Sequence, residues 1–450
     1  MSLPPAKRQR TPKVIIVGAG FGGLSAAQRC ARLPVQVVVL DKKNHHTFQP
    51  LLYQVATAGL SPGEIAAPVR SIFRARPNVE VLLEEVVDFD LNKRTVITKE
   101  QALDYDFLIL ASGAAHAYFG HEEWEPFAPG LKTIEDALEI RRRVLLAFEL
   151  AERQVAEGQH FSPLQFVVIG GGPTGVELAG TLAEIAHHAM NREFRKIDPR
   201  QSRILLIEGG PRVLPAYSEE LSRKAEDQLR HLGVEVRTTS MVTRVAPGAV
   251  WVGDEKILSP VVLWAAGVAA SPLGQKLGVP IDRAGRVLVH PDLSIPGHAE
   301  VFVIGDLAAL PDENGKMLPG VAPVAIQQGN SVAQTIARDL ENQPRRNFHY
   351  HDKGSLATIG RAAAVAQFGK FEISGYFAWL AWLFIHILFL IGFRNRLLVM
   401  IQWAWSYFTY ERGARLITGS DQLQGWAPSQ AESAKTEAME AMVSAGPPRT

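Results

Sequence analysis

Gly18, Gly20 and Gly23 have the spacing of a loop that binds the pyrophosphate of a dinucleotide. They lie in the segment VIIVGAGFGGLSAA, between an apolar stretch and a predicted helix. In such a loop the first glycine permits a tight turn, the second lets phosphate approach the backbone, and the third lets helix and strand pack closely. Asp41 ends the next apolar stretch, where an acid holds ribose hydroxyls. A plain glycine turn is the alternative, but this order of features favours dinucleotide binding.

Gly170, Gly172 and Gly175 repeat the pattern in VVIGGGPTGVELAG. The matching acid, Glu208, comes 33 residues after the last glycine, because the intervening helix and loop are longer. A carboxylate at this position accepts the ribose hydroxyls of NAD and repels the 2′-phosphate of NADP. Arg212 is nearby and weakens that preference. We expect NADH rather than NADPH at this second loop.

Composition indicates an ordinary globular protein of more than one domain. The chain has 450 residues, of which 47% are hydrophobic and 21% charged, and its formal net charge is +1. Nucleic acid is therefore not an expected partner. The only cysteine, Cys30, excludes a dithiol redox centre, and we expect it to be buried and inert. No metal is expected, because metal-ligand spacing is absent among the paired histidines His45, His46, His187 and His188.

The two halves of the sequence share one order of elements. Each has a glycine turn, an acid that closes the next strand, a β-rich stretch, and a strand that ends in small residues, ASGA at 111–114 and AAGV at 265–268. We predict an α/β fold with two Rossmann-like domains, the second inserted in the first. The predicted ranges are a flexible basic arm at 1–12, a first domain at 13–125 and 290–350, a second domain with its connecting helix at 126–289, a membrane-anchoring region at 351–417, and a disordered tail at 418–450.

The segment VFVIGDLA indicates which domain binds which nucleotide. Its strand ends in Gly305 and Asp306, and an acid there suits the ribityl chain of a flavin. We therefore expect non-covalently bound FAD in the first domain and NADH in the second, with hydride passing between them.

The C-terminal region is apolar and aromatic. Tyr376–Phe393 contains one polar residue, His386, and a helix of that length reaches about 27 Å, slightly less than a hydrocarbon core. The following helix has a polar face and an apolar face: Asn395, Gln402, Ser406 and Thr409 on the first, and Leu398, Ile401, Trp405 and Phe408 on the second. Trp379, Trp382 and Trp403 lie near it. This pattern favours a helix in the membrane interface over a spanning helix or a buried dimer face.

Taken together, the sequence resembles the two-dinucleotide flavoprotein reductases and, within them, the type II NADH:quinone oxidoreductases. The resemblance covers residues 13–417. It is carried by FQPLLYQVATAGL (48–60), GGGPTGVELAG (170–180), GDLA (305–308), APVAIQQG (322–329) and GKFEISGYFAWLAWLFIHILFLIGFRNRL (369–397). Relatives that use a redox disulfide, or that oxidise sulfide, need cysteine pairs, which this chain lacks.

The resemblance implies roles for particular residues. Glu177 would lie beside the nicotinamide and flavin rings, and Gln327 and Gln328 would contact the quinone; we take Glu177 and Gln327 as the catalytic candidates. Their alternatives are a solvated acid favoured by the helix dipole and ordinary helix residues. Family members often have AQ where this chain has Ala322 and Pro323, so one side-chain amide is missing here.

The implied cofactor contacts are wider than the glycines. For FAD they are Gly18, Ala19, Gly20, Phe21, Gly22, Gly23, Asp41, Lys42, Val86, Ala111, Ser112, Gly113, Gly305, Asp306, Ala322, Pro323 and Lys370, the last at the flavin's pyrimidine edge. For NADH they are Gly170, Gly172, Pro173, Thr174, Gly175, Glu177, Glu208, Ala266 and Gly267.

The implied reaction is reduction of a membrane quinone, ubiquinone or menaquinone, by NADH without proton pumping. The expected location is the cytoplasmic face of a bacterial inner membrane, with peripheral attachment through the C-terminal helices, and a homodimer is the expected assembly. Two alternatives remain open: a reductase of a soluble electron carrier such as ferredoxin, and a flavin-folded membrane interaction protein without turnover.

Overall fold

A computed structural model describes residues 10–160, 162–191, 193–409, 411–424 and 426. The N-terminal part contains β1 (Lys13–Val17), α1 (Phe21–Cys30), β2 (Gln36–Asp41), β3 (His45–Thr47), α2 (Leu52–Ala56), α3 (Pro62–Ile65), β4 (Ala66–Pro68), α4 (Val69–Ile72), β5 (Val79–Leu83), β6 (Val86–Asp90), β7 (Thr95–Thr98), β8 (Ala102–Asp104), β9 (Phe107–Leu110) and β10 (Ala114–His116). The middle part contains α5 (Ile134–Ala156), β11 (Gln165–Ile169), α6 (Pro173–Glu184), β12 (Arg203–Ile207), α7 (Glu219–His231), β13 (Val234–Arg237), β14 (Val242–Ala246), β15 (Ala249–Val252), β16 (Glu255–Leu258), β17 (Val261–Trp264) and β18 (Val268–Ala270). The C-terminal part contains β19 (Val287–Leu288), β20 (Ser294–Ile295), β21 (His298–Val303), β22 (Ala308–Ala309), α8 (Ala322–Leu340), β23 (Ser355–Gly360), β24 (Ala363–Phe368), β25 (Phe371–Ser374), α9 (Tyr376–Phe389) and α10 (Phe393–Thr409).

The first domain is built on a six-stranded sheet with the order β20-β21-β9-β1-β2-β5. Strand β1 lies in the middle and pairs in parallel with β2 and β9. Its residues from Val14 to Val17 are buried, as continuous apolar strands covered on both faces must be. Helices α1 and α8 cross closely at two glycines. A Cβ on Gly329 would lie only 2.3 Å from the Gly22 carbonyl oxygen, so the crossing requires glycine at position 329.

The second domain repeats this arrangement. Its sheet has the order β13-β12-β11-β17, and β11 pairs in parallel with β12 and β17 as β1 does with β2 and β9. The chain enters this domain through α5 and leaves it at β18, which pairs antiparallel with β10. The predicted α/β fold with two Rossmann-like domains, one inserted in the other, is confirmed.

The predicted return to the first domain at residue 290 is too late. Leu277 and Val287 are buried in one cluster with Ile15 and Val303 of the central sheet, and β19 pairs in parallel with β22. Residues from about 272 therefore pack with the first domain. Strand β19 has only two residues, which is too short to show a pattern in the sequence.

The region predicted as a membrane anchor begins with a small sheet. Strands β23, β24 and β25 form an antiparallel meander that packs on α6. The contact is close, because a Cβ on Gly180 of α6 would lie 1.6 Å from the Ile359 carbonyl oxygen. Residues 351–375 therefore belong partly to the second domain's packing, and the prediction missed these strands.

Helices α9 and α10 form the end of the folded chain. Helix α9 has 14 residues, and the apolar segment predicted to continue to Phe393 turns at Leu390, whose backbone is extended. Across the described residues, no helix has the length and hydropathy to cross a membrane. Trp382 of α9 and Val399 of α10 are buried in the same core cluster as Phe148 of α5 and Leu178 of α6.

The two predicted flexible ends are described only in part. Arg10 pairs with Asp106 at 3.0 Å, and residues 1–9 lie outside the described part of the chain. The predicted disordered tail starts too early at 418. Arg142 donates to the carbonyl oxygens of Ser420 and Gln422, and Leu423 is buried. The remainder of that tail, apart from residues 424 and 426, is not described.

Candidate functional site

The first glycine loop can be built only with glycine at two positions. Gly18 has a φ of +99°, and a Cβ there would lie 2.5 Å from the Ala111 carbonyl oxygen. A Cβ on Gly23 would lie 1.8 Å from the Gly18 carbonyl oxygen. The Gly18 amide donates to the Leu40 carbonyl oxygen at 2.7 Å, which closes the turn between β1 and α1. The predicted reasons for the first and third glycines are thus met in the geometry.

The second glycine loop has the same geometry. Gly170 has a φ of +108° and donates to the Ile207 carbonyl oxygen at 2.7 Å. A Cβ on it would lie 2.5 Å from the Ala265 carbonyl oxygen, and one on Gly175 would lie 1.8 Å from Gly170. The two loops therefore present equivalent surfaces at equivalent edges of their sheets.

Both loops leave room for a phosphate. Gly20 and Gly172 are the N-caps of α1 and α6, and a Cβ on either would meet no described atom within 4 Å. That empty space lies where free amides and the helix dipole favour an anion. The residues present therefore fit two dinucleotides, FAD at the first loop and NADH at the second.

The two predicted acids make equivalent contacts. Asp41 accepts the Ala19 amide at 2.6 Å, and Glu208 accepts the Gly171 amide at 2.5 Å. Each acid lies at the C-terminal end of its strand, where a ribose would lie. Arg212 donates to the Pro215 carbonyl oxygen and lies 3.6 Å from Glu219, so it is turned toward the exposed start of α7.

The predicted contacts after β9 and β17 gather at these same sheet edges. Ala111 is buried, Gly113 has a φ of +69°, and the Ser112 hydroxyl is a buried polar atom without a partner in the described chain. After β17, Ala266 is followed by Gly267, whose missing Cβ accommodates the Phe119 ring. An unpaired buried hydroxyl beside the first loop is consistent with a polar ligand there.

The remaining first-domain contacts are placed as follows. Phe21 lies edge-on to His46, whose Nδ1 donates to the Ala19 carbonyl oxygen and so also supports the loop. Val86 is buried at the start of β6, and Lys42 is exposed just after β2. In the second loop, Pro173 begins α6 and Thr174 follows it in the first turn.

Gly305 and Asp306 lie at the end of β21, beside the N-terminus of α8. Gly305 has a φ of +72° and donates to Gln328 Oε1 at 2.6 Å. Asp306 forms an ion pair with Lys132 at 3.2 Å, which joins the approach to α5 to the first domain. Ala322 and Pro323 open α8, so Pro323 occupies a position where its missing amide is not needed.

The two candidate quinone glutamines already have partners within the chain. Gln328 is buried and holds the Gly305 turn. Gln327 lies on another face of α8 and exchanges two hydrogen bonds with the His351 backbone, at 2.9 and 3.0 Å. Each glutamine thus has a structural contact through its carbonyl oxygen, and Gln327 also through one amide hydrogen. Their predicted contact with the quinone stays a prediction.

Lys370 lies in the C-terminal sheet region. It is an exposed residue in the turn between β24 and β25, and that hairpin packs beside the second domain. The expectation that it reaches the flavin's pyrimidine edge stays a prediction.

Glu177 lies in the second turn of α6, and it is partly buried. Burial raises the pKa of this carboxyl well above its ordinary value, and a hydrogen bond from the Thr358 backbone offsets part of that rise. Burial also raises the pKa of two nearby phenols, Tyr53 and Tyr217, and an ionised Glu177 would add to that rise. The environment of Glu177 thus favours a neutral, proton-carrying carboxyl.

One turn beyond Glu177 the structure forms a pocket that the sequence did not predict. We call it the aromatic pocket; its walls include Tyr53, Gln54, Thr181, Glu184, Arg361, Trp379, Trp382, Leu383, Trp403, Ser406, Tyr407 and Arg412. Helices α9 and α10 supply the tryptophans, while α2 supplies Tyr53 and Gln54. Arg361 stacks over the Tyr407 ring at 4.2 Å. The density of tryptophan near the C-terminus was the only sequence signal for it.

Helix α10 presents its polar and apolar faces in an unusual way. Asn395 and Gln402 donate to the Ala66 carbonyl oxygen and to Glu64, so the polar face packs on the protein. The opposite face is exposed and apolar, and Phe408 is 80% exposed. The exposed apolar side chains of the two helices and the turn between them include Phe377, Leu380, Phe384, Leu388, Phe389, Phe393, Leu397, Met400, Ile401 and Trp405. A contiguous patch of this kind marks a membrane or protein contact.

Cys30 and the paired histidines have structural surroundings. Cys30 is fully buried, which raises its pKa to about 12 and confirms the expected inert thiol. His187 contacts the carbonyl oxygens of Leu232 and Ser202. Within the described ranges, no group of three or more histidine, cysteine or acidic side chains is arranged to hold a metal ion.

Fold and site together define a reductase with two dinucleotide-binding domains, and comparison with known proteins agrees. The family profile described as "Pyridine nucleotide-disulphide oxidoreductase" matches residues 12–329, and that described as "NDH2 C-terminal domain" matches residues 352–410. The type II NADH:quinone oxidoreductases NdhA and Ndh of Mycobacterium tuberculosis are 46% and 43% identical to this chain. Those alignments cover 90% and 98% of this chain, and 89% and 97% of the relatives. The chain therefore belongs to the type II NADH:quinone oxidoreductase family.

Solved structures support the fold. The Plasmodium falciparum NDH2 structure in complex with NADH matches with a TM-score of 0.80 at 22% identity, covering 91% of this chain and all of that one. The sulfide:quinone oxidoreductase of Aquifex aeolicus matches with a TM-score of 0.68 at 18% identity, over 86% of this chain and 92% of that one. At these identities the likeness concerns the fold alone. The resemblance identified from the motifs is confirmed by the family match, which does not favour the soluble-carrier alternative.

Proposed function

We propose that this protein oxidises NADH and reduces a membrane quinone to quinol while attached to one surface of a membrane, without pumping protons. The observation that carries the proposal is the combination of two equivalent glycine loops with an apolar helix pair that encloses a pocket next to Glu177. The first loop would hold FAD, which when bound would supply the hydride-accepting and two-electron chemistry. The overall reaction consumes NADH, one proton and quinone and yields NAD⁺ and quinol.

The residues of the chain position and protect this reaction. The second glycine loop and Glu208 hold NADH by its phosphates and ribose, while the first loop, Asp41 and Asp306 hold FAD. Glu177, whose carboxyl is held protonated by burial, orients the nicotinamide and supplies a proton for the quinol oxygen. Quinone enters between α9 and α10, where the aromatic pocket excludes water. In this proposal Gln327 and Gln328 support the site through the backbone contacts described above.

Attachment through the apolar face of α9 and α10 is the second part of the proposal. Aromatic side chains that project from a helix pair suit the boundary between lipid headgroups and acyl chains. Asn395 and Gln402 of the polar face of α10 are bonded to Ala66 and Glu64, while the apolar face is presented outward. We place this attachment on the cytoplasmic face of a bacterial inner membrane, and we propose that two copies associate as a homodimer, to be measured by light scattering in detergent.

The test is an assay of purified, detergent-extracted protein for bound flavin and for NADH oxidation with short-chain ubiquinone and menaquinone analogues. We expect about one FAD per chain and quinone-dependent turnover. A preparation that takes up no flavin after reconstitution, or that reduces ferricyanide but neither quinone, would contradict the proposal.

Membrane attachment is tested separately by changing Phe377, Phe384 and Phe408 together to serine. This variant should lose binding to liposomes and keep its turnover with a water-soluble quinone analogue. The matched control changes Met241 and Leu258, two equally exposed apolar residues of the second domain, and should still bind liposomes. Unchanged liposome binding by the phenylalanine variant would show that another surface attaches the protein.

A further inference from the structure

We propose that Tyr53 donates its hydroxyl hydrogen to a carbonyl oxygen of the quinone in the aromatic pocket, and that Gln54 and Trp403 fix the direction of that bond. This inference rests on the proposed reduction of quinone and adds a substrate-binding residue to it.

The direction follows from the hydrogen bonds. An indole Nε1 can only donate, so Trp403 donates to Gln54 Oε1, at 2.7 Å. With its oxygen fixed in this way, the Gln54 amide turns its nitrogen toward Tyr53 and donates to the phenol oxygen at 2.8 Å. The phenol therefore accepts in this chain, and its own hydrogen is left to point elsewhere. Among the described residues, no acceptor lies within hydrogen-bonding distance of it.

A second donor in the same pocket also lacks an acceptor. Trp382 is fully buried, and its indole Nε1 has no hydrogen-bond partner in the described chain. Its ring lies 6.4 Å from that of Tyr53, centroid to centroid. Because buried donors are normally paired, two unpaired donors in one pocket indicate a ligand that supplies acceptors.

The chemistry of a quinone matches these walls. Its ring is flat and apolar, and its two carbonyl oxygens accept but cannot donate. The pocket is lined by the aromatic side chains of Trp379 and Tyr407 and by the donors of Tyr53 and Trp382.

The donor stays protonated under assay conditions. Burial raises the pKa of Tyr53 well above its usual value, and the hydrogen bond from Gln54 offsets part of that rise. The phenol therefore keeps its hydrogen at neutral pH.

The experiment compares Tyr53→Phe with wild-type holoenzyme, using a short-chain ubiquinone as the probe. Loss of one hydrogen bond to a neutral acceptor should raise the quinone KM by roughly 2- to 10-fold. Reduction of the bound flavin by NADH, followed by stopped-flow absorbance, should be unchanged, as should the NADH KM. Trp403→Phe leaves the Gln54 amide free to rotate, so it should raise the quinone KM by a smaller factor and leave the NADH KM unaltered.

Tyr118→Phe is the matched control. Tyr118 is another buried phenol, whose hydroxyl donates to the Ala128 carbonyl oxygen in the second domain, away from the aromatic pocket. Its removal should leave the quinone KM unchanged. A Tyr53→Phe enzyme with wild-type quinone KM, or one that loses NADH-dependent flavin reduction equally, would overturn the inference. If the wild-type holoenzyme itself reduces no quinone, the proposed function fails instead.

Discussion

The guanidinium of Arg412 lies 2.7 Å from the carboxylate of Glu184, and both side chains are almost fully buried. Glu184 ends α6, the helix that carries Glu177, whereas Arg412 follows α10. Arg412 also donates to the Thr57 carbonyl oxygen at 3.0 Å in the first domain. The Arg412 side chain thus connects both dinucleotide-binding domains to the segment after α10, in the wall of the aromatic pocket.

Removing this cation should destabilise the protein strongly. Arg412→Gln leaves the Glu184 carboxylate buried without its partner, and we expect a loss of about 3–5 kcal/mol in the free energy of unfolding. Denaturant unfolding in detergent measures it. The double variant Glu184→Gln with Arg412→Gln should recover part of the loss, and Arg394→Gln, at an exposed position on α10, should lose little. A single variant as stable as wild type would show that the ion pair contributes nothing.

Two matched glycine substitutions should separate the cofactors. Gly20→Ala and Gly172→Ala each place a methyl group in space that is empty of described protein atoms, so both variants should fold. The first should block the phosphate of FAD and give protein with low flavin content. The second should keep its flavin and raise the NADH KM by about tenfold or more. If wild type, Gly20→Ala and Gly172→Ala all contain the same amount of flavin, the first loop does not hold FAD.

Glu177→Gln should slow turnover while FAD stays bound. Loss of a proton-transferring group typically lowers a rate by about 100-fold or more. Because burial raises the pKa of Glu177, the wild-type rate should fall as pH rises through that raised pKa, where the carboxyl loses its proton. The variant should lack this fall. Steady-state rates across pH provide the measurement, with the exposed Glu219→Gln as control; identical profiles for Glu177→Gln and wild type would exclude the role.

Glu208→Ser should relax the preference for NADH. The carboxylate accepts the Gly171 and Gly210 amides, so it holds the loop as well as the ribose. Removing its charge should lower the NADPH KM relative to that of NADH, because repulsion of the 2′-phosphate disappears. Glu208→Gln keeps a side-chain acceptor for the loop and separates the two effects. If NADPH remains an equally poor substrate in both variants, specificity is set elsewhere.

The protein should lose stability in mild acid through His386. Burial lowers the pKa of this histidine from 6.5 to about 4, although Nδ1 donates to the Trp382 carbonyl oxygen. The unfolded chain binds the proton more tightly, so the stability from neutral His386 is fully present above pH 6.5 and is lost as pH falls through 4. The loss amounts to roughly 3 kcal/mol.

Comparing wild type with His386→Phe isolates this contribution, since other groups titrate alike in both proteins. The phenylalanine keeps a ring in the position where His386 stacks on Trp382. The difference in unfolding free energy between pH 7 and pH 4.5 should therefore be smaller in the variant. An equal pH dependence would place the acid sensitivity elsewhere.

Local sequence patterns were sufficient to predict most of the fold and the two glycine loops. A glycine such as Gly18 is recognisable because only one residue type fits a positive φ beside the Ala111 carbonyl. The acid Asp41 follows from its place at the end of a strand. The glycine loop and the acid can each be recognised from a short segment of sequence, and the same order of features occurs twice in the chain. One sequence is therefore enough to predict them.

Contacts between distant segments could not be predicted from the sequence in this way. Trp403 and Gln54 are 349 residues apart, and neither residue type nor its neighbours predict their hydrogen bond. The turn at Gly369, which has a φ of +59°, exposes Lys370 between two strands that were not predicted. The glutamines of α8 were recognised, but not that the backbone of His351 and Gly305 would occupy their amides.

The burial of Trp382, Val399 and Leu423 has a practical consequence for anyone who wants a water-soluble form of this enzyme. Cutting the gene before residue 376 would strip side chains from a core shared with Phe148 and Leu178, and the shortened product should aggregate whatever its electron acceptor is. Solubility is better sought by recoding the outward-facing phenylalanines one by one, since each of those changes leaves the interior intact.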